Sequence, residues 1–261
     1  MSAWLVARTG QAVEERDDGT LVTFAPDEAA ADALLAQLGR EVDAGIETTR
    51  RPLDQVDWSI RWREGLGARR CGRLTVIPSW VPEAASPQPG TVVLDPETAF
   101  GSGEHGSTRA ALILLDQLLR PGHRVLDLGS GSGILAIAAV KLGASRAIGI
   151  ENDPDANEVA ERNAARNNVT SQVEFIEGDA GLLAPLVGPA DILLSNILRT
   201  VNTTFLPAIA KSLKRGGYAI FSGMEEPEAP GFRHALRGAG FDIVQETLDG
   251  DWWAVAAAHE R

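Results

Sequence analysis

The stretch Val125-Leu126-Asp127-Leu128-Gly129-Ser130-Gly131-Ser132-Gly133 carries the densest chemical signal in the chain: an apolar run, an acid, then glycines at alternate positions. Glycine adopts backbone angles closed to other residues, so this spacing suits a tight turn that a ligand can approach closely. The helix that follows offers unpaired N–H groups at its start. Dinucleotide-binding turns read G-x-G-x-x-G because the helix start must hold a pyrophosphate. Here the spacing is G-x-G-x-G, with Asp127 just before it. S-adenosylmethionine has no phosphate and does carry an ammonium group. An acid at Asp127 beside Gly129, Gly131 and Gly133 therefore points to that ligand.

Other chemistry-bearing residues stand at later strand ends. Glu151 closes Gly149-Ile150-Glu151, where a carboxylate can accept hydrogen bonds from both ribose hydroxyls. The alternative is a solvated loop acid, since Asp153 and Asp155 lie alongside. Asp179, in Glu177-Gly178-Asp179-Ala180, would face an adenine amino group or else serve as a plain turn residue. Asn196 lies in Ser195-Asn196-Ile197-Leu198. Its amide oxygen, with neighbouring carbonyls, can accept hydrogen bonds from an amine and aim the lone pair at a sulfonium methyl. Methyl transfer is an in-line displacement, so alignment is a large part of catalysis. Asn196 is the expected catalytic residue, with a cap on a strand end as the alternative. No side chain is an evident general base, and solvent can take the amine's proton.

These positions need a frame. From Thr91 onward short apolar strands alternate with helices. Strands are expected at Arg124 to Leu128, Arg146 to Ile150, Val173 to Ile176, Ala190 to Ser195 and Tyr218 to Ser222. Helices are expected at Ile134 to Leu142, Pro154 to Asn167, Thr204 to Leu213 and Phe232 to Ala239. Strands at Phe241 to Thr247 and Trp252 to Ala257 then follow one another without a helix, which implies a C-terminal antiparallel hairpin. The alternation predicts an α/β domain: a seven-stranded, mostly parallel sheet covered on both faces. Ligands in such sheets bind outside the carboxyl ends of the strands.

Two earlier zones precede it. Residues 1–57 read as a small α+β unit, with strands at Trp4 to Arg8 and Leu21 to Phe24, an Asp17-Asp18-Gly19 turn, and an amphipathic helix from Asp27 to Gly39. Residues 58–90 read as a linker that packs Trp58, Trp62 and Trp80 against a neighbour. It holds one strand at Leu74 to Ile77 and a basic cluster, Arg69-Arg70-Arg73, expected to be solvated or paired with acids. Residues 91–261 form the catalytic domain.

The 24 basic against 36 acidic residues give a net charge of −12. A nucleic-acid enzyme usually presents a basic face, whereas this charge suits a basic polypeptide or a cationic small molecule. Neither DNA nor a membrane is an expected partner. One cysteine and four histidines, without zinc-site spacing, give no reason to expect a disulfide or a metal. The N-terminus shows no signal-peptide pattern and no apolar run reaches a membrane span, so the chain reads as cytoplasmic.

The segment Leu94-Asp95-Pro96-Glu97-Thr98-Ala99-Phe100-Gly101-Ser102-Gly103-Glu104-His105-Gly106-Ser107-Thr108 strongly resembles the PrmA pattern L-D-P-G-x-A-F-G-T-G-x-H-x-T-T. Ser195-Asn196-Ile197-Leu198 is similar to that family's A-N-I-L. Asp57-Trp58 with Trp62-Arg63, and Pro78-Ser79-Trp80, look like its D-W…W-K and P-S-W segments. The resemblance runs from about Ala12 to the C-terminus. It implies a class I (Rossmann-like) methyltransferase that modifies lysine and α-amino groups of large-ribosomal-subunit protein eleven. It also places Phe100, Thr108, Gly129, Glu151 and Asn196 at cofactor-contact positions, with Phe100 to Thr108 closing over the methionine end.

The departures are specific. Glu151 replaces Asp and keeps the carboxylate. Ser102, Gly106 and Ser107 replace Thr, commonly Pro, and Thr, which opens the lid-like segment to more freedom or to a different acceptor. The ferredoxin-like βαββαβ recognition domain is expected here without its first strand and helix. His105 reads as a hydrogen-bonded structural residue. A small-molecule methyltransferase, a non-catalytic cofactor-binding module and an oxidoreductase remain as alternatives.

Overall fold

The structure, a computed structural model, describes residues 1–9, 13–15, 19–41, 46–51, 67–95, 97 and 99–259. The expected roles of Asp57, Trp58, Trp62 and Arg63, and the Asp17-Asp18 part of the turn, fall outside the described residues. The chain divides into two compact units, Met1–Asp57 and Trp58–Arg261. No described helix is long and apolar enough to cross a membrane.

The first unit holds α1 (Ser2–Thr9), an antiparallel pair β1 (Glu14–Glu15) and β2 (Leu21–Val22), and α2 (Glu28–Glu41). Trp4 to Arg8, expected as a strand, is helical. A short apolar run does not separate strand from helix by itself. Four residues apart, Trp4 and Arg8 share a helix face: the guanidinium lies 5.2 Å from the indole centroid, and both donate to Glu41. Asp27 caps α2 by accepting from Ala30 N at 2.7 Å. The helix runs two residues past Gly39, so that glycine is no stop.

In the second unit, β3 (Arg69–Cys71), β4 (Leu74–Ile77) and β5 (Thr91–Val93) form a sheet in that order, β3 antiparallel and β5 parallel to β4. The segment read as a linker thus contributes strands, and Cys71, Leu74, Val76 and Val92 enter the main core. The elements that follow are α3 (Gly106–Leu118), β6 (Arg124–Leu128), α4 (Ile134–Lys141), β7 (Arg146–Glu151), α5 (Pro154–Arg166) and β8 (Val173–Glu177). They continue with α6 (Ala180–Val187), β9 (Ala190–Asn196), α7 (Arg199–Ser212), β10 (Leu213–Glu225), α8 (Ala229–Gly238), β11 (Phe241–Asp249) and β12 (Trp252–His259).

The seven strands lie in the order β11-β12-β10-β9-β6-β7-β8. All neighbours from β10 to β8 are parallel, and β12 runs antiparallel to both β10 and β11. Alternate residues along each strand face opposite ways. Val125, Ala147, Ile192 and Leu194 pack with α3, α4 and α5 on one face. Leu126, Leu128, Ile148, Ile150 and Leu193 pack with α6, α7 and α8 on the other.

Apart from Trp4 to Arg8, the expected strands all form; β10 departs most, running Leu213–Glu225 around the expected Tyr218 to Ser222. Helix α7 begins five residues earlier than Thr204, at Arg199. Helices α3 and α6 were not expected. The first is headed by a glycine-rich loop and the second contains Pro185, a residue that argues against a helix interior.

Because β6 pairs with β7 on one side and β9 on the other, its carboxyl end is the switch point of the sheet. Leu128 pairs with Ser195, so the glycine turn after β6 lies beside Asn196 at the end of β9.

Candidate active site

Gly129, Gly131 and Gly133 have φ of +69°, +51° and +79°. These left-handed angles disfavour any side chain. Space excludes one as well: a Cβ would lie 2.7 Å from Ile197 Cγ2 at Gly129, 2.6 Å from the Phe100 carbonyl at Gly131, and 2.6 Å from Phe175 Cζ at Gly133.

The N–H groups of this turn are all donated within the protein. Gly129 N and Ser130 N give to Ile150 O, Ser132 N to Phe100 O and Gly133 N to Ser130 O. Gly131 N gives to Glu151 Oε2 at 3.0 Å. A phosphate-binding loop aims such groups at the ligand. This one keeps none of the five for an anion and lines its surroundings with carboxylates, which disfavours the dinucleotide reading.

Asp127 is 1% exposed. Its Oδ2 accepts from Ala136 N at 3.1 Å, while Oδ1 is buried with no partner among the described residues. Burial raises its pKa to about 7, the Ala136 bond opposes the shift, and the Glu151 charge adds to it. A buried carboxylate oxygen without a donor is costly unless a cationic donor arrives. The ammonium end of S-adenosylmethionine fits that need. Ser130 Oγ nearby is likewise buried and unpartnered.

Glu151 ends β7 half-buried. Besides Gly131 N, it accepts from Asn152 N at 2.8 Å and Asp153 N at 3.2 Å through Oε1. Asp179 caps α6, its Oδ1 accepting from Gly181 N at 2.7 Å and Leu182 N at 3.2 Å. It therefore has a structural role at the end of β8.

Asn196 ends β9. Its Nδ2 donates to Thr108 Oγ1 at 3.3 Å, and its Oδ1 is buried without a partner among the described residues. Thr108 is fully buried in the first turn of α3. Orphaned acceptors at Asp127 and Asn196, with a glycine cradle between the strand ends, fit a cationic nucleoside bearing a reactive centre.

The segment before α3 is tied to the turn. Ser132 Oγ donates to Gly101 O at 2.6 Å, adding to its N–H bond with Phe100 O. Phe100 is 56% exposed. Its ring meets His105 edge-on at 5.2 Å, and His105 lies 4.1 Å from the Trp252 ring. His105 Nδ1 pairs with Ser107 Oγ at 2.7 Å. Burial, then the Arg109 charge, lower the His105 pKa.

The family described as ribosomal protein L11 methyltransferase (PrmA) is matched over residues 5–260. The chain belongs to the PrmA family. It is 38% identical to the ribosomal protein L11 methyltransferase of Thermus thermophilus over 82% of either chain. It is also 38% identical to that of Pelotomaculum thermopropionicum, over 86% of this chain and 72% of the relative. Among solved structures it is similar to a ribosomal protein L11 methylase from Lactobacillus delbrueckii subsp. bulgaricus. There the TM-score is 0.66 at 29% identity, covering 75% of this chain and all of the other. The chain is thus an S-adenosylmethionine-dependent methyltransferase with a class I, Rossmann-like sheet.

Set against the PrmA pattern, each departure has local partners. The Ser102 hydroxyl accepts from Glu104 N at 3.2 Å. Ser107 is fully buried and bonds His105, while its carbonyl accepts from Ser222 Oγ at 2.8 Å. At Gly106 a Cβ would fall 2.6 Å from Trp252 Cδ1 and 2.8 Å from Asp249 O, so the hairpin end approaches too closely for a larger residue. The Glu151 carboxylate, in place of Asp, reaches back to Gly131 N. The basic cluster is largely paired: Arg69 with Glu104 and Arg73 with Asp116, each at 2.7 Å, while Arg70 donates to Gly72 O.

Two residues that organise the candidate site gave no signal in the sequence. Asn163, fully buried on α5, donates to Asp95 O and Ser132 O and accepts from Asp95 N, each at 3.0 Å. It joins the root of the lid-like segment to the glycine turn. Asn202, fully buried on α7, accepts from Ser195 Oγ at 2.6 Å and donates to Ile197 O and Ser222 O. It holds the Ser195 hydroxyl before Asn196 and the Ile197 carbonyl after it. Polar residues on helices normally mark solvent, so only contact with a buried backbone reveals them.

Proposed function

We propose that this methyltransferase modifies lysine or α-amino nitrogens of ribosomal protein L11. The observation that carries the reading is the buried, unpartnered Asn196 Oδ1 beside a turn with no N–H left for a phosphate. The relatives' names support the acceptor, and the charge of −12 suits a basic ribosomal protein.

In this reading S-adenosylmethionine supplies a methyl group made electrophilic by its sulfonium centre. Gly129, Gly131 and Gly133 let the backbone approach the nucleoside. Glu151 would accept from the ribose hydroxyls, Asp179, whose Oδ1 caps α6, would face the adenine amino group through its other oxygen, and Asp127 Oδ1 would accept from the ammonium group. Phe100 and Thr108 close the methionine end. Asn196 Oδ1, with adjacent carbonyls, accepts hydrogen bonds from the acceptor amine and orients its lone pair for in-line attack. The amine's proton leaves to solvent, and S-adenosylhomocysteine departs. The roles invoke no metal. Residues 1–57 serve acceptor recognition, 91–261 carry catalysis with β3 and β4 packed into the same unit, and the enzyme works in the cytoplasm.

The test is incubation with methyl-labelled S-adenosylmethionine and purified ribosomal protein L11, alongside a cell extract separated into proteins and small metabolites. Label on L11 at amine nitrogens supports the proposal. Label confined to metabolites, or tight cofactor binding without transfer, overturns it.

A further inference from the structure

The corner at Glu104 to Gly106, where the lid-like segment turns into α3, is gripped from the C-terminal hairpin. Arg109, one turn into α3, places a two-pronged fork on Asp249: Nε to Oδ2 and Nη2 to Oδ1, both 2.7 Å. Its remaining nitrogen, Nη1, donates to the Glu104 carbonyl. The Glu104 carboxylate is held by Arg69 Nε at 2.7 Å and by Gly67 N at 3.3 Å. Asp249 ends β11 and Trp252 begins β12, so carboxylate and indole ride on one hairpin end.

Three rings carry this grip outward. Trp252 lies against His105, and His105 meets Phe100 edge-on. Phe100 is then fixed twice: its carbonyl by Ser132 N of the glycine turn, and its ring by His105. The pair is bidentate and its side chains are only 26% and 23% exposed, a geometry that fixes direction as well as charge. The third bond, to the Glu104 carbonyl, carries that fixed direction to the corner of the lid-like segment.

We propose that Arg109 and Asp249 are positioning residues for methyl transfer, acting through the Glu104 carbonyl and the His105 ring to hold Phe100 at the mouth of the cofactor pocket. The inference rests on the proposed role of Phe100 at the methionine end. Arg109 fits the task because a guanidinium presents planar donors in a rigid fork, which a lysine ammonium lacks.

The experiment compares the wild-type enzyme with Arg109→Gln, Arg109→Lys, Asp249→Asn and the exchanged pair Arg109→Asp with Asp249→Arg. For each, kcat, KM for S-adenosylmethionine, Tm and the proton NMR shifts of His105 are measured. The chain has only four histidines, so assignment by a His105→Asn variant is direct.

The expected result is a KM increase of about tenfold in all four, the scale of one lost hydrogen bond. The upfield ring-current shift of His105 is lost while Tm stays within a few degrees. The exchanged pair restores opposite charges but leaves position 109 without a donor for Glu104 O, so it stays impaired. Recovery of wild-type KM by the exchanged pair, or His105 shifts and KM unchanged in Arg109→Gln, overturns the inference. A loss of activity that follows Tm alone does so too. Failure of the underlying reading looks different: the wild-type enzyme itself then shows no S-adenosylhomocysteine binding, or Phe100→Ala leaves KM unaltered.

Discussion

Asn196 Nδ2 donates to Thr108 Oγ1 over 3.3 Å, joining two residues 88 positions apart. The bond ties the end of β9 to the first turn of α3 and uses one of the two amide N–H donors. The acceptor oxygen is buried, with no partner among the described residues. An oxygen so placed is set to receive an N–H, the property an incoming amine requires.

Asn196→Ala is expected to lower kcat by about 10²-fold, the scale on which loss of reactant orientation is felt. The Kd for S-adenosylhomocysteine should change only a few-fold. Thr108→Val, which keeps the shape and removes the hydroxyl, should lower kcat by about tenfold by freeing the amide to turn. Steady-state kinetics with calorimetry check both. Unchanged turnover in Asn196→Ala removes it from the orienting role.

Glu151→Gln should weaken S-adenosylhomocysteine binding by about tenfold or more, since hydrogen bonds to a charged group contribute ~1.5–3 kcal/mol. Both carboxylate oxygens already accept backbone N–H groups, Oε2 from Gly131 and Oε1 from Asn152 and Asp153. A glutamine must turn its NH2 toward one of those donors. Calorimetric titration that finds equal affinity in both proteins would exclude Glu151 from the ribose site.

The Asp127 pKa, raised by burial to about 7, makes both stability and binding depend on pH. Its unfolded value lies near 3.8, so between that and pH 7 the folded state holds a proton the unfolded chain has lost. Stability therefore falls as pH rises through this window and levels off above it. Ligand binding should run the other way. An ammonium partner needs the ionised form, so affinity rises from pH 6 toward 7.5 and binding releases protons. It weakens again above about pH 8, where an α-amino group loses its charge. Asp127→Asn should flatten both profiles. Proton release measured by calorimetry in buffers of different ionisation enthalpy is decisive, and its absence at pH 6.5 rules out this pairing.

Gly131→Ala should abolish measurable cofactor binding and lower stability. The left-handed φ of +51° costs a side chain about 1–2 kcal/mol, and the new methyl would sit 2.6 Å from the Phe100 carbonyl. Thermal melts and S-adenosylhomocysteine titration test this. Wild-type affinity in the variant would show that the turn tolerates displacement and that the lid-like segment is not registered by it.

The strands from Arg124 onward, the glycine turn and the acids at the strand ends were legible because each is written locally. Apolar runs reveal strands by their length and punctuation, and glycine spacing reveals backbone angles closed to other residues. The same local reading misassigned Trp4 to Arg8, where a short apolar run is compatible with either element. It also passed over α3 and α6, masked by a glycine-rich start and an internal proline. Residue chemistry therefore determined the reaction class and which strand ends carry the candidate site residues. The tertiary structure alone decided which polar groups meet: Asn196 with Thr108, Asn163 with Asp95 and Ser132, Arg109 with Asp249 across 140 positions. In an open chain each of those groups is satisfied by water, and its partner is chosen only when packing of the sheet removes that water and leaves one neighbour within reach.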